Sequence, residues 1–203
     1  MRIVVIGRGV IGSAVASLLR QRHEVVQASR SGGDLLVDAR SEDSIRDFYE
    51  RCGRFDALVV ALGSGRIFTT LWELSPADYL EAWQDRVMSQ INLVRLGLPN
   101  LRDGGSFTLS SGFMNKSPLP GFSAITASNG GIDGFIVGAA RDLPRGIRIN
   151  GVSATFVKET LEGFGMTDLS AYTVMPAAAV ARSYALAVES DFTGRDLDTR
   201  ELA

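Results

Sequence analysis

Apolar residues follow two alternating rhythms along this chain. Short unbroken runs rich in β-branched residues give way to longer stretches whose apolar positions recur three and four residues apart. Ile3–Ile6 predicts a first strand, leading into a helix from about Val10 to Gln21. Glu24–Ala28 and Asp34–Val37 read as the second and third strands. Ser41–Cys52 reads as a helix with Ser41 as N-cap and acids in its first turn. Asp56–Leu62 is an apolar fourth strand. Ser75 and Pro76 supply the cap and first position of a long helix expected to reach about Leu96. Ser106–Leu109 is a fifth strand, Gly121–Leu143 mostly helix, and Ile147–Val152 a sixth strand. An alanine-rich helix over Pro176–Glu189 and an edge strand over Arg195–Thr199 complete the pattern. Lys158–Met175 has weak periodicity and suits a loop with one short helix, of the kind that forms a lid over a substrate.

Strands alternating with helices imply a parallel sheet covered on both faces. The expected fold is α/β: a Rossmann-type, doubly wound parallel sheet in a three-layer α/β/α domain. At 203 residues, with no linker or repeat, the chain suits a single domain spanning 1–203. Its 45% hydrophobic and 22% charged residues match a soluble globular protein. A net charge of −2 without charged blocks argues against nucleic acid or a membrane surface as partner. No apolar stretch approaches the ~20 residues that span a bilayer. The opening apolar run stops at Gly7, too soon for a secretory leader, so a cytoplasmic protein is expected. Cys52 is the only cysteine, which excludes an intrachain disulfide and a cysteine-cluster metal site; no metal is expected.

The first strand runs straight into Gly7-Arg8-Gly9-Val10-Ile11-Gly12, which opens the first helix. A dinucleotide site needs glycines at these three places: one for the tight turn, one for close approach of backbone to pyrophosphate, and one for helix–strand packing. The helix N-terminus then offers N–H groups to phosphate. At the end of the second strand, an acid would accept ribose hydroxyls, whereas arginine would meet a 2′-phosphate. The sequence there reads Ser29-Arg30-Ser31, with no acid until Asp34. Arginine between two hydroxyls suits phosphate, so NADP(H) is the expected cofactor. The competing reading of Arg30 is a solvated turn residue.

Further motifs, in order and spacing, resemble the short-chain dehydrogenase/reductase family over about residues 1 to 200. Asp38 follows the third strand, where that family keeps an aspartate near the adenine amine. Ala61-Leu62-Gly63-Ser64-Gly65 resembles the family's Asn-Asn-Ala-Gly segment beside the cofactor. Ser110-Ser111 ends the fifth strand as the family's serine strand does. Ala127-Ser128 with Gly134-Phe135 resembles the helix carrying its Tyr-x-x-x-Lys, and Arg148-Ile149-Asn150 the stretch before its Pro-Gly motif. The resemblance implies cofactor contacts at Ala61, Leu62, Gly63, Ser111, Asn129, Thr155 and Val157.

The departures bear on chemistry. The glycine turn is one residue shorter than the family's, and Ala154-Thr155 stands where the family has Pro-Gly. The alignment puts Ile125 at the tyrosine position and Asn129 at the lysine position. Counting back from Leu98-Pro99 puts Arg86 at the position of the family's helix-four asparagine. Asn92 matches that asparagine locally, but residues six apart on a helix differ by about 240° in direction, and the spacing favours Arg86. In the family, tyrosine donates a proton as hydride leaves the nicotinamide, and lysine lowers its pKa. Ile125 has no such proton, and Asn129 can bond ribose but carries no charge. Ser111 remains either as a contact to substrate oxygen or as a cap on the strand end. Tyr172, in the expected lid, is the first candidate for a replacement acid, with packing of the lid as its equal alternative. Lys116, Ser117 and Lys158 are the other candidates near the same mouth.

The leading functional expectation is an atypical NADP(H)-dependent oxidoreductase acting on a small carbonyl/alcohol or imine/amine substrate, with Ser111, Tyr172, Asn129 and Arg86 as catalytic candidates. The alternative is a cofactor-binding protein without redox turnover: a sensor, or an enzyme of isomerisation, elimination or cyclisation. A homo-oligomer, dimer or tetramer, is expected because the two helices resembling the family's dimer face carry Ile91, Leu93 and Leu96, and Ile132, Phe135 and Ile136, more apolar surface than one buried stripe needs.

Overall fold

A computed structural model of the chain describes residues 1–63, 69–165 and 172–202. The first half builds β1 (Arg2–Ile6), α1 (Val10–Leu19), β2 (Glu24–Ser29), β3 (Leu35–Leu36), α2 (Glu42–Cys52) and β4 (Phe55–Val60). The second half builds α3 (Pro76–Trp83), a π turn (Gln84–Met88), α4 (Ser89–Gly97), β5 (Leu101–Gly112), a 3₁₀ turn (Phe113–Asn115), α5 (Ser123–Asp142) and β6 (Arg148–Ala154). It ends with β7 (Phe156–Val157), α6 (Lys158–Gly163), β8 (Val174–Met175), α7 (Ala177–Glu189) and β9 (Asp196–Asp198).

Seven parallel strands form one sheet in the order β3-β2-β1-β4-β5-β6-β9. Ile3, Val4, Val5 and Ile6 are all at most 1% exposed, as an unbroken apolar run on a doubly covered strand must be. Val4 and Ile6 join the core beneath α2, α4 and α5, whereas Ile3 and Val5 join the core beneath α1 and α7. The chain leaves β1 in one direction toward β2 and later in the other toward β4, so a crevice opens at the C-terminal ends of β1 and β4. No helix among the described residues is long and apolar enough to cross a membrane.

Several boundaries differ from expectation, each for a physical reason. The helix predicted from Pro76 to Leu96 is three pieces: the Ser75–Asp78 capping box starts it, and a π turn interrupts it over Gln84–Met88. β5 begins at Leu101 rather than Ser106, because its ladder with β4 continues through a register shift past Gly104 and Gly105. The third strand shrinks to Leu35–Leu36, and the helix expected from Gly121 starts at Ser123 because Gly121 turns with φ +81°. The expected lid is anchored at its base: β7 pairs with β8 across it, and α6 fills its first turns. Of the six apolar residues expected on an oligomer face, Leu93, Ile132 and Ile136 are core, and Ile91, Leu96 and Phe135 pack against it. The large apolar residues these helices do expose are Leu80, Trp83 and Val137.

Candidate active site

A cavity of about 790 Å³ opens in the crevice. Its lining includes Gly9 and Val10 after β1, Ala61 after β4, Arg86 of the π turn, Ser111 of β5 and Asn129 of α5. The glycine turn fits a dinucleotide by a steric test. Gly7 has φ +119°, and a Cβ there would lie 2.3 Å from the Ala61 carbonyl oxygen; one at Gly12 would lie 2.4 Å from the Gly7 oxygen. A Cβ at Gly9 would meet nothing within 4 Å, so the backbone is bare where a pyrophosphate would approach. Gly9 caps α1 without a side-chain bond, which leaves the first helical N–H groups to an anion.

At the end of β2, Arg30 and Ser31 are exposed, and Ser29 turns its hydroxyl onto the Gly32 carbonyl at 2.7 Å. The Arg8 guanidinium lies against Gly32, where a Cβ would be 2.1 Å from Nη1. Two arginines therefore serve the rim of this turn. Asp34, the first acid after β2, is turned away: its carboxylate accepts the Gln27 N–H at 2.8 Å and faces Arg20. Asp38 accepts the Arg40 N–H. Leu62 and Gly63 line the same cavity, as do Ile11, Thr155 and Val157. Thr155 spends its hydroxyl on the Thr173 carbonyl. Ser64 and Gly65 lie outside the described residues.

Arg86 is the centre of the polar site. It is only 8% exposed, and no carboxylate among the described residues lies within ion-pair distance of it. Its Nε donates to Asn129 Oδ1 at 2.8 Å and its Nη2 to the Ser111 carbonyl at 2.8 Å. Asn129 in turn donates Nδ2 to the Gly112 carbonyl at 3.1 Å, so its amide is committed in this state. Burial pulls the Arg86 pKa down, with the Tyr184 phenol and Asp133 acting the other way. A guanidinium nevertheless stays charged in any protein. The π turn that carries Arg86 is a distortion that frequently accompanies functional sites. Asn92 instead hands its Oδ1 to Arg95.

The polar surroundings contain three residues that the sequence did not point to. Gln90, fully buried on α4, bonds both the N–H and the carbonyl of Ser110, clamping the end of β5. Tyr184, fully buried on α7, shares a 2.6 Å hydrogen bond with the Ser110 hydroxyl, and burial pushes its pKa up to about 12. Asp133 lies one turn beyond Asn129 on α5 and bonds the Ser111 hydroxyl and the Asn115 amide. Its spacing of four from Asn129 is the one local signal that could have found it.

The proposed replacement acids are scattered. Tyr172 stands on the cavity rim, 38% exposed, with its ring edge-on to Phe156 at 5.0 Å. Lys116 is not at the mouth. Burial disfavours its charge, but ion pairs to Asp196 and Asp198 hold its pKa above the ordinary value. Ser117 accepts from Arg200, and Lys158 is exposed beside Glu162. Ile125 is 6% exposed and packs with Phe113 and Met114 in a small apolar cluster.

The comparisons agree with this architecture. A protein-family model described as enoyl-(acyl carrier protein) reductase matches residues 7–185. The chain is 37% identical to a structure of the protein lin1944 from Listeria innocua, with TM-score 0.90 over 98% of both chains. A small-chain dehydrogenase solved in complex with NADPH is 25% identical, with TM-score 0.88 over 98% of this chain and 95% of that one. The uncharacterized oxidoreductase YhxD of Bacillus subtilis is 25% identical over 122 residues, and the match spans 60% of this chain but only 41% of that relative. The family match runs from the glycine turn through most of α7, over a sheet whose strand order places a cofactor crevice where that turn lies, and the chain is a member of the short-chain dehydrogenase/reductase family of oxidoreductases.

Proposed function

We propose that this chain is an atypical NADP(H)-dependent oxidoreductase that interconverts a small carbonyl and alcohol, or imine and amine. The observation that carries the proposal is Arg86: a buried cation, held by neutral partners, in the lining of the cavity that the glycine turn and Ser111 share. Bound in this crevice, the dinucleotide supplies or accepts hydride. Gly7 through Gly12 hold its pyrophosphate, Arg8 and Arg30 its 2′-phosphate, and Asp38 lies toward its adenine. Ala61, Leu62, Gly63, Asn129, Thr155 and Val157 contact the rest. Ser111 contacts the substrate heteroatom, and Arg86 stabilises the negative charge that develops on it. Read as standing at the family's tyrosine and lysine positions, Ile125 and Asn129 supply no acid and no cation, so in this reading the cation comes from the opposite helix. Among the described lining residues Arg86 alone is charged, and Phe113, Met114, Phe156 and Leu161 are apolar; this favours an uncharged, largely apolar substrate.

NADPH is expected to bind more tightly than NADH. Arg30→Ala should weaken NADPH binding by roughly 10–100-fold, the loss of a charge-assisted phosphate contact, and leave NADH nearly unchanged. Arg8→Ala should act in the same direction. Calorimetric titration with both cofactors checks this; equal affinities in the unaltered protein would contradict the assignment.

Ile125 favours a second reading. With hydrocarbon at that position, the cavity also suits a cofactor-dependent protein without net redox turnover. The two readings part on whether NADPH is consumed.

We also propose a homo-oligomer. Leu80 and Trp83 on α3 and Val137 on α5 are exposed, and on α5 Gly130, Gly134 and Gly138 recur every fourth residue with open space where their Cβ atoms would be. Helical glycine costs about 1 kcal/mol relative to alanine, and close approach of a second helix would account for it. Sedimentation at micromolar concentration should show a dimer or tetramer; monomer alone would contradict it.

A further inference from the structure

We propose that Asp133 is the proton reservoir for Ser111: its carboxylic acid passes a proton to the Ser111 hydroxyl as that hydroxyl gives its own to the substrate heteroatom. The inference rests on the redox reading above. A serine hydroxyl lining the cavity can touch the substrate, but alone it is too weak an acid near neutrality and would be left as an alkoxide. Something behind it must return the proton.

Asp133 is placed to do so. Ser111 points away from the α1 and α7 side and toward α5, where its Oγ meets the Asn129 carbonyl at 3.5 Å and the Asp133 carboxyl. Asp133 Oδ2 accepts from the Asn115 amide. Its Oδ1 is buried with no hydrogen-bond partner among the described residues, and an ionised carboxylate there would hold costly unsatisfied lone pairs. A proton on the carboxyl removes that charge and gives Ser111 Oγ a donor.

The groups facing Asp133 come from every element packed against it. Ser111 lies on β5, Asn115 on the 3₁₀ turn, Lys116 just after it, Asp196 on β9, and Arg86 of the π turn feels its charge across the site. Burial and the like charge of Asp196 raise the Asp133 pKa; the bonds from Ser111 and Asn115 and the charge of Lys116 pull it down. The net direction is up, toward the acid form.

The step balances. In reduction, the substrate carbon accepts hydride from the reduced nicotinamide, and the C=O or C=N π pair moves onto the heteroatom. The heteroatom takes the Ser111 proton, Ser111 Oγ takes the Asp133 proton, and the half-buried carboxylate is reprotonated by water. Oxidation runs the same transfers backward.

Two measurements test the relay. The first needs no substrate: a ¹³C-carboxyl titration of aspartate-labelled protein, with the Asp133 resonance assigned by its loss in Asp133→Asn. Asp133 should titrate above the ordinary aspartate value of about 4. In Ser111→Ala its midpoint should rise further, because a bond favouring the ionised form is gone. The second is the pH profile of NADPH oxidation. The unaltered rate should fall tenfold per pH unit above the Asp133 midpoint. Asp133→Asn should lower kcat on the order of 10²–10⁴-fold and flatten that limb, with NADPH affinity retained and Asp133→Glu restoring part of the rate.

An ordinary Asp133 midpoint that ignores Ser111→Ala overturns the proposal. So does an Asp133→Asn enzyme with the unaltered profile, or loss of the limb in Tyr172→Phe instead, which would put the donor on the rim. A protein that oxidises NADPH with no acceptor overturns the redox reading itself, and the substrate-free titration still decides separately whether Ser111 and Asp133 share a proton.

Discussion

Arg86→Met lowers kcat/KM by about 10²–10³-fold while the protein stays folded. The size is that of losing one preorganised donor to a developing oxyanion. Methionine keeps the length and apolar stem of arginine and removes only the charged fork. The stability effect is small because two terms oppose each other. The Asn129 Oδ1 and the Ser111 carbonyl lose their donors, at about 1–3 kcal/mol for each acceptor left buried and unsatisfied. Against this, a buried cation without a paired carboxylate disappears, and its desolvation cost with it. Arg86→Lys should recover only part of the rate, since an ammonium on a single stem cannot span both partners as the planar fork does. Steady-state kinetics beside a thermal melt check the prediction. Variants that melt like the parent and keep its kcat/KM would remove Arg86 from the chemistry.

What the sequence made legible was set by how local each signal is. The strands could be read because burial on both faces demands unbroken apolar runs, as in Ile3–Ile6. The glycine turn and Arg30 could be read because their physics lies within a few consecutive residues. The π turn could not: Gln84–Met88 has the composition of ordinary helix, and its extra residue is fixed by Arg86 and Gln90 reaching β5. The start of β5 was hidden by Gly104 and Gly105, which read as a loop but belong to a strand with a register shift. The apolar residues assigned to an oligomer face were core, because α4 and α5 each bury more than one narrow stripe against the sheet. In the site, Arg86 was reachable by counting along a resemblance. Asp133, Gln90 and Tyr184 act through Ser110 and Ser111, which lie 20 or more residues away along the chain, and no local pattern announces such a contact.

The central claim is that this crevice moves hydride between a nicotinamide and a bound substrate. NADPH carrying deuterium at C4 of its dihydronicotinamide, prepared as each of the two C4 epimers, tests it when offered with uncharged apolar aldehydes, ketones and imines. The expected effect is all-or-none: one epimer delivers its deuterium to the former carbonyl or imine carbon, and the other leaves it on the oxidised cofactor. A cofactor fixed by the Gly7–Gly12 turn and by arginines at its 2′-phosphate can present only one face to Ser111 and Arg86. Mass spectrometry of product and cofactor reads the result. The account predicts product deuterated from a single epimer, in equal amount to the NADP formed. A substrate converted with NADPH left intact and no deuterium in the product would contradict it.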